Sequence, residues 1–207
     1  MEIDTARLDA MGIPLRFQSV TLDNYVAETD GQRAALKWAM EFAAGFQTNS
    51  RSALLVGKPG TGKTHLGIGI AMETLKSPCA ARFCEATVSY VYFEPVLYIS
   101  VSDAIQRVKN SWNEAGESES QVRESMTKPR LLILDEIGIQ FGTDFERNFL
   151  FDIIDKRYLD MKPTILISNK TLEGVTDYLG PRVIDRLRED GLDLIAFGWE
   201  SHRGKKT

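Results

Sequence analysis

The stretch "GKPGTGKTHL", Gly57 to Leu66, follows directly on the apolar run "ALLV", Ala53 to Val56. Gly57, Gly60 and Gly62 weaken both helix and strand across this loop, so its bare backbone must serve something other than packing. The spacing from Gly57 through Gly62, Lys63 and Thr64 is G-x-x-x-x-G-K-T, with a strand-like run before it and the helix-compatible "THLGIGIAMETLK" after it. In that context consecutive backbone N–H groups turn inward as an anion nest, and the positive end of the new helix adds to them. Gly57, Lys58, Pro59, Gly60, Thr61, Gly62 and the helix-opening Lys63, Thr64 and His65 are therefore read as a phosphate cradle. Lys63 would reach the β- and γ-phosphates, and the Thr64 hydroxyl would ligate Mg²⁺. A plain Gly-rich turn is the weaker alternative.

Such a loop belongs at the end of a strand in a parallel α/β sheet, and the remaining sequence supplies the other strands. Short apolar runs, "VLYISV" (Val96 to Val101), "LLIL" (Leu131 to Leu134), "TILIS" (Thr164 to Ser168) and "LDLIAF" (Leu192 to Phe197), alternate with amphipathic stretches. "LLIL" has no polar member, as expected of a central strand covered on both faces. In "SDAIQRVKNSW" Val101, Ala104, Ile105, Val108 and Trp112 fall on one helical face, with Asp103 and Gln106 at capping-box spacing. Thr143 and Glu146 open a further helix in capping-box fashion, with Phe145, Phe149, Leu150, Ile153, Ile154 and Tyr158 as its apolar stripe. Gly180 followed by Pro181 ends one short helix and starts another. "GESESQ" reads as a polar loop, and "VSYVYF" as an extra strand or hairpin arm.

"LLILDEIG" ends its strand on Asp135 and Glu136, at the edge where open α/β sheets place ligands. Beside a phosphate cradle, the first acid suits the Mg²⁺ shell and the second would polarise the water attacking the γ-phosphate. A solvated turn is the competing account of the pair. Asn169, in "TILISNK", falls on the same sheet edge, where a neutral amide can orient that water; an Asx-type turn is its alternative. "NK" resembles the start of the guanine-reading N-K-x-D motif, but Leu172 occupies the acidic position, so ATP is the better nucleotide. Arg182 and Arg186, four apart in "LGPRVIDRLRED", share a helix face and could serve phosphoryl transfer, or form a basic surface balanced by Asp185 and Glu189.

At 207 residues a single domain with one substantial core is expected. No apolar run approaches the roughly eighteen residues of a membrane span, and "MEIDTARLDAMGI" is unlike a signal peptide, so a soluble intracellular protein is expected. Cys79 and Cys84 form a C-x4-C pair with no further Cys or His cluster, which is poor zinc evidence. With 25 Lys+Arg against 29 Asp+Glu the formal charge is -4, which excludes a bulk basic field for nucleic acid. DNA contact would have to be local, with Lys205 and Lys206 as contributors.

The ordered set "GIPLRFQSVTLDNY", "GKPGTGKTHL", "LLILDEIG", "ILISNK", "LGPRVIDRLRED" and "WESHR" resembles the AAA+ ATPase domain of DnaC-type bacterial and phage helicase loaders, with IstB-type transposition helpers as close relatives. The resemblance runs from Gly12 to Arg203. It implies a five-stranded parallel P-loop sheet sandwiched by helices, without a large C-terminal lid, in which the Asn169 strand separates the Asp135 strand from the P-loop strand. Residues 1–11 are then an N-terminal extension and 12–207 an AAA+ ATP-binding domain. Asp135 and Glu136 match Walker B, and Asn169 matches sensor 1. Arg182 and Arg186 match the box holding the arginine finger that acts on the neighbouring subunit's ATP. Arg203 matches the sensor 2 arginine, and Tyr25 would lie near the adenine. The implied protein is a cytoplasmic ATP hydrolase of a bacterial or phage-infected cell, a homo-oligomer in the ATP state, acting on single-stranded DNA and a replicative DNA helicase. Loaders of this type carry an N-terminal helical domain that grips the helicase; only eleven residues precede Gly12, so either an isolated ATPase domain or a short form is expected.

Three other functions compete: a transposition helper on duplex DNA, a nucleotide-gated adaptor without turnover, and a small-molecule P-loop kinase. Glu136 argues against the adaptor. A kinase needs a lid and an acceptor pocket, and the acid pair with Asn169 and a distal arginine pair fits hydrolysis better.

Overall fold

The computed structural model describes residues 5–46, 51–76, 95–113, 116–139, 143–189 and 191–203. Cys79, Cys84, the "VSYVYF" stretch, Lys205 and Lys206 lie outside the described residues.

The strands are β1 (Ala53–Gly57), β2 (Val96–Ser100), β3 (Leu131–Ile137), β4 (Thr164–Ser168) and β5 (Asp193–Phe197). They form one five-stranded sheet in the order β2-β3-β4-β1-β5, and every pairing is parallel. The β4 strand does separate the P-loop strand from the Asp135 strand. Alternating side chains of the inner strands feed two cores. Ala53, Leu55, Ile133 and Ile167 pack under α1 (Thr5–Ala10), α2 (Asp30–Gly45) and α3 (Lys63–Lys76). Leu54, Leu132, Leu134 and Leu166 pack under α4 (Val101–Asn110), α5 (Glu119–Thr127), α6 (Asp144–Leu159), α7 (Leu172–Leu179) and α8 (Pro181–Glu189). The result is a helix–sheet–helix sandwich. Leu8 and Met11 are buried in the first core, so α1 shares that core with the residues beyond Gly12. No helix among the described residues is long and apolar enough to cross a membrane.

Local chemistry sets the helix starts. Thr143 and Glu146 form the expected capping box of α6, and Gly180, at φ 87°, ends α7 before Pro181 opens α8. Three expectations need correction. Ser100, not Asp103, caps α4, accepting the Asp103 N–H, which leaves the Asp103 carboxylate in the first turn facing the positive helix end. Trp112 lies beyond the end of α4, 56% exposed, with its ring edge-on to Phe145 rather than in the core. "GESESQ" is not all loop: Ser118 and Gln121 make a capping box that opens α5, whose buried side chains are Val122 and Met126.

Because all strands run one way, Gly57 at the end of β1, Asp135 near the end of β3 and Asn169 just past β4 lie together at the carboxyl edge of the sheet.

Candidate nucleotide-binding site

The P-loop closes over its own lysine. Lys63 Nζ donates to the carbonyls of Gly57 and Lys58 at 2.6 and 2.8 Å, which brings the ammonium into the bowl of the loop. Burial pulls its pKa down to about 8; Asp135 opposes the fall and Arg203 adds to it. Gly60 and Gly62 take φ of 78° and 96°, which L side chains rarely adopt. A side chain at Gly62 would strike the Tyr25 ring, and one at Gly60 would strike Ser201.

Thr64, at the start of α3, donates its hydroxyl to Asp135 Oδ2 at 2.8 Å. Asp135 is nearly buried and Glu136 is exposed, yet both line one cavity. Neighbouring residues of a regular strand point to opposite faces, so a local distortion must bring them together. The β3–β4 register shifts between Leu134 and Ile137, so Asp135 and Glu136 together stand opposite Ile167, and Glu136 takes φ 64°. This bulge turns the second carboxylate onto the side of the first. Ser168 secures it: its hydroxyl donates to the Ile137 carbonyl at 2.7 Å and accepts the Lys170 N–H at 3.1 Å.

The cavity, of about 440 Å³, is lined by Gly60, Gly62, Lys63, Thr64, His65, Asp135, Glu136, Asn169 and Arg203 among others. Lys63, Thr64, His65, Asp135, Glu136, Asn169 and Arg203, all singled out in sequence, thus meet in one place, whereas Lys58, Thr61 and Tyr25 do not line it. Arg203 arrives on a C-terminal strap: the His202 N–H donates to the Gly60 carbonyl at 2.9 Å and the Trp199 indole to the Thr61 carbonyl at 2.9 Å. Tyr25 stands behind the loop, its ring against Gly62 and edge-on to His65, with a buried hydroxyl that has no partner among the described residues. His65 Nε2 faces the Thr21 carbonyl at 3.0 Å, so that nitrogen carries the proton, and burial lowers the ring's pKa. Arg182 and Arg186 do not line the cavity. Arg186 pairs with Asp155 at 2.7 Å, while Arg182 is exposed.

Arg16, Phe17, Tyr98 and Ile167 also line the cavity and were not singled out in sequence. Tyr98 sits in an apolar strand run, where a tyrosine reads as core. Only the pairing of β2 with β3 brings its hydroxyl to Asp135 Oδ2 at 2.8 Å.

The donor set fits a small hard cation. One hydroxyl and one carboxylate suit an ion that takes oxygen ligands and completes its shell with water and phosphate oxygens. Among the described residues no group of three or more His, Cys, Asp or Glu gathers into a protein-only metal cage.

The sequence model of the family described as "IstB-like ATP binding protein" matches residues 30–203. The chain is 33% identical over 196 residues to the replicative helicase loader DnaC of Escherichia coli (strain K12), covering 95% of this chain and 74% of that protein. The crystal structure of the DnaC helicase loader superposes with a TM-score of 0.72 at 23% identity, over 88% of this chain and 99% of that one. The crystal structure of DnaI gives 0.70 at 20% identity, over 92% and 94%. With a P-loop, an acid pair and a polar β4 end around one cavity, and the family match spanning them all, the chain belongs to the IstB-like ATP-binding proteins, in the company of the DnaC helicase loaders.

Proposed function

We propose that this chain is an ATPase that loads a replicative DNA helicase. The observation that carries the ATPase reading is the convergence of Lys63, Thr64, Asp135, Glu136, Asn169 and Arg203 on one cavity at the sheet edge. The loader reading rests on the likeness to DnaC over 95% of the chain.

The loop N–H groups and Lys63 hold the triphosphate, and the Tyr25–His65 side of the loop receives the adenine. Thr64, with Asp135 behind it, would hold a Mg²⁺ ion, which would supply positive charge to the phosphates. Asn169 orients a water and Glu136 accepts its proton as the water oxygen bonds to the γ-phosphorus. The bond to the bridging oxygen of the β-phosphate breaks, giving ADP and phosphate. Arg203 adds positive charge from the strap side. Arg182 and Arg186 do not line their own cavity, so an arginine finger from α8 would act on a neighbouring copy. In this reading residues 12–207 form the ATPase domain, preceded by 1–11, and ATP drives assembly into a homo-oligomer on single-stranded DNA in the cytoplasm. The acidic chain gathers local basic patches only by juxtaposing subunits, so DNA binding is salt-sensitive.

Phosphate release from ATP, together with co-purification from a cell expressing the replicative helicase, tests both halves. Glu136→Gln should keep Mg·ATP binding and lose turnover; wild-type turnover in that variant would remove Glu136 from the chemistry. The family match also favours a second reading, a transposition helper on duplex DNA. Capture of a transposase instead of the helicase would select it.

A further inference from the structure

Asp135 is held on both oxygens. Oδ1 accepts the Glu136 N–H at 2.7 Å, and Oδ2 accepts two hydroxyls, from Thr64 at 2.8 Å and Tyr98 at 2.8 Å. With three donors on it, the carboxylate has no free rotation. Thr64 spends its only hydroxyl hydrogen on Asp135, which leaves its oxygen lone pairs for a cation.

Tyr98 reaches this point from the sheet edge. It lies on β2, pairs with Ile133 of β3, and its backbone N–H donates to the Met11 carbonyl at 2.8 Å. The residue is 8% exposed, yet it lines the cavity. An ionised carboxylate can only accept, so the phenol donates its hydrogen to Asp135. A tyrosine that only filled the core would need no carboxylate partner; here the oxygen goes to the acid that stands behind Thr64.

We propose that Tyr98 is a positioning residue for the nucleotide-bound divalent cation: it fixes Asp135 so that the Thr64 hydroxyl keeps its hydrogen on the carboxylate and its lone pairs on the cation. This rests on the Mg·ATP reading of the cavity. In this role Tyr98 acts through Asp135 and is not itself a ligand of the cation.

The test is calorimetric binding of ADP to the full chain, with Mg²⁺ and with EDTA, for wild type and Tyr98→Phe. The substitution removes one oxygen and keeps the ring. Wild type should bind more tightly with Mg²⁺, and Tyr98→Phe should lose roughly tenfold of that Mg²⁺-dependent gain with its EDTA affinity unchanged, as expected for one hydrogen bond to a charged group. In an Asp135→Asn background the same substitution should change the gain no further. An undiminished gain in Tyr98→Phe, or a parallel loss with and without Mg²⁺, overturns the positioning role. No Mg²⁺-dependent gain in wild type overturns the Mg·ATP reading itself, and the inference with it.

Discussion

The indole N–H of Trp199 donates to the backbone carbonyl of Thr61 across 2.9 Å, tying the strap after β5 to the middle of the P-loop. The tie continues through His202, whose backbone N–H holds Gly60 and whose Nε2 meets the Gln32 side-chain amide at 2.7 Å. Gln32 uses its oxygen to accept the Glu28 and Thr29 N–H groups at the start of α2, so its nitrogen is the donor and His202 Nε2 the acceptor. Loop, strap and helix start therefore form one polar unit. Trp199→Phe keeps an aromatic ring beside Phe197 and removes the indole N–H together with part of the ring. The expected result is a Tm about 2–4 °C lower and nucleotide affinity weakened by roughly three- to tenfold. A variant matching wild type in both melting and calorimetry would show that the indole bond does not shape the loop.

Lys63 gives nucleotide binding a pH dependence of known sign. In the free protein burial holds its pKa at about 8, and a triphosphate beside it favours the ammonium and raises that value. Below about pH 8 the lysine is charged in both states and affinity is flat. Above it the free protein has lost the proton and must take one up on binding, so affinity falls by up to about tenfold per pH unit. Calorimetry in buffers of different ionisation enthalpy should show uptake approaching one proton at about pH 9 and near none at about pH 7. Lys63→Met should bind weakly and without this slope.

At the opposite end of the sheet, Arg157 of α6 is fully buried and uses its whole guanidinium. It donates to the carbonyls of Met126, Pro129, Arg130 and Pro163 and to Thr164 Oγ1, at 2.7 to 3.1 Å. These partners lead into β3 and β4, the strands that carry Asp135 and Asn169 at their other ends. Burial lowers its pKa to about 9, which still leaves it charged at neutral pH. Arg157→Met should strip the partners of their donors and cost about 3–5 kcal/mol in urea unfolding. Arg157→Lys should recover only part, because one ammonium cannot reach five acceptors. Equal stability of the lysine variant and wild type would contradict this.

That Gly60, Gly62, Lys63, Thr64, Asp135 and Glu136 would meet at one sheet edge was legible because the motif sets particular residue types at fixed spacing, whatever the rest of the fold does. The five strands were legible because each is an apolar run bounded by turn chemistry. The bulge was not: nothing in "LLILDEIG" announces that Asp135 and Glu136 will share a side, since the cause is the register against β4 and the left-handed backbone of Glu136. Tyr98 was hidden for a related reason, because its meaning depends on which strand lies beside β2. The helix over Asp30–Gly45 went unread, although Thr29 and Gln32 form a capping box there. Glu119–Thr127 was missed because only Val122 and Met126 are buried in that helix. Trp112 was misplaced because a helical period drawn through Val108 continues on paper past Asn110, where the helix stops.

Arg182 and Arg186 of α8 share a face but not a situation. Arg186 is bound within its own subunit: Nε meets Asp155 at 2.7 Å and the guanidinium lies 5.3 Å from the centre of the Tyr158 ring. Arg182, one turn earlier, is exposed and makes no hydrogen bond or ion pair among the described residues. Under the proposed reaction Arg182 is then the expected finger for a neighbour's γ-phosphate, while Arg186 holds α8 against α6. Arg182→Ala should keep its fold and its ATP affinity while hydrolysis falls by roughly 10³ to 10⁵, the range of an arginine finger. Arg186→Ala should instead lower the melting temperature, with a smaller loss of turnover. Mixing Arg182→Ala with Glu136→Gln should restore part of the activity, because some interfaces then pair an intact Glu136 with an intact Arg182. If gel filtration shows mixed oligomers and they stay as inactive as either parent, Arg182 does not act across the interface. If Arg186→Ala complements Glu136→Gln and Arg182→Ala does not, the two roles are reversed.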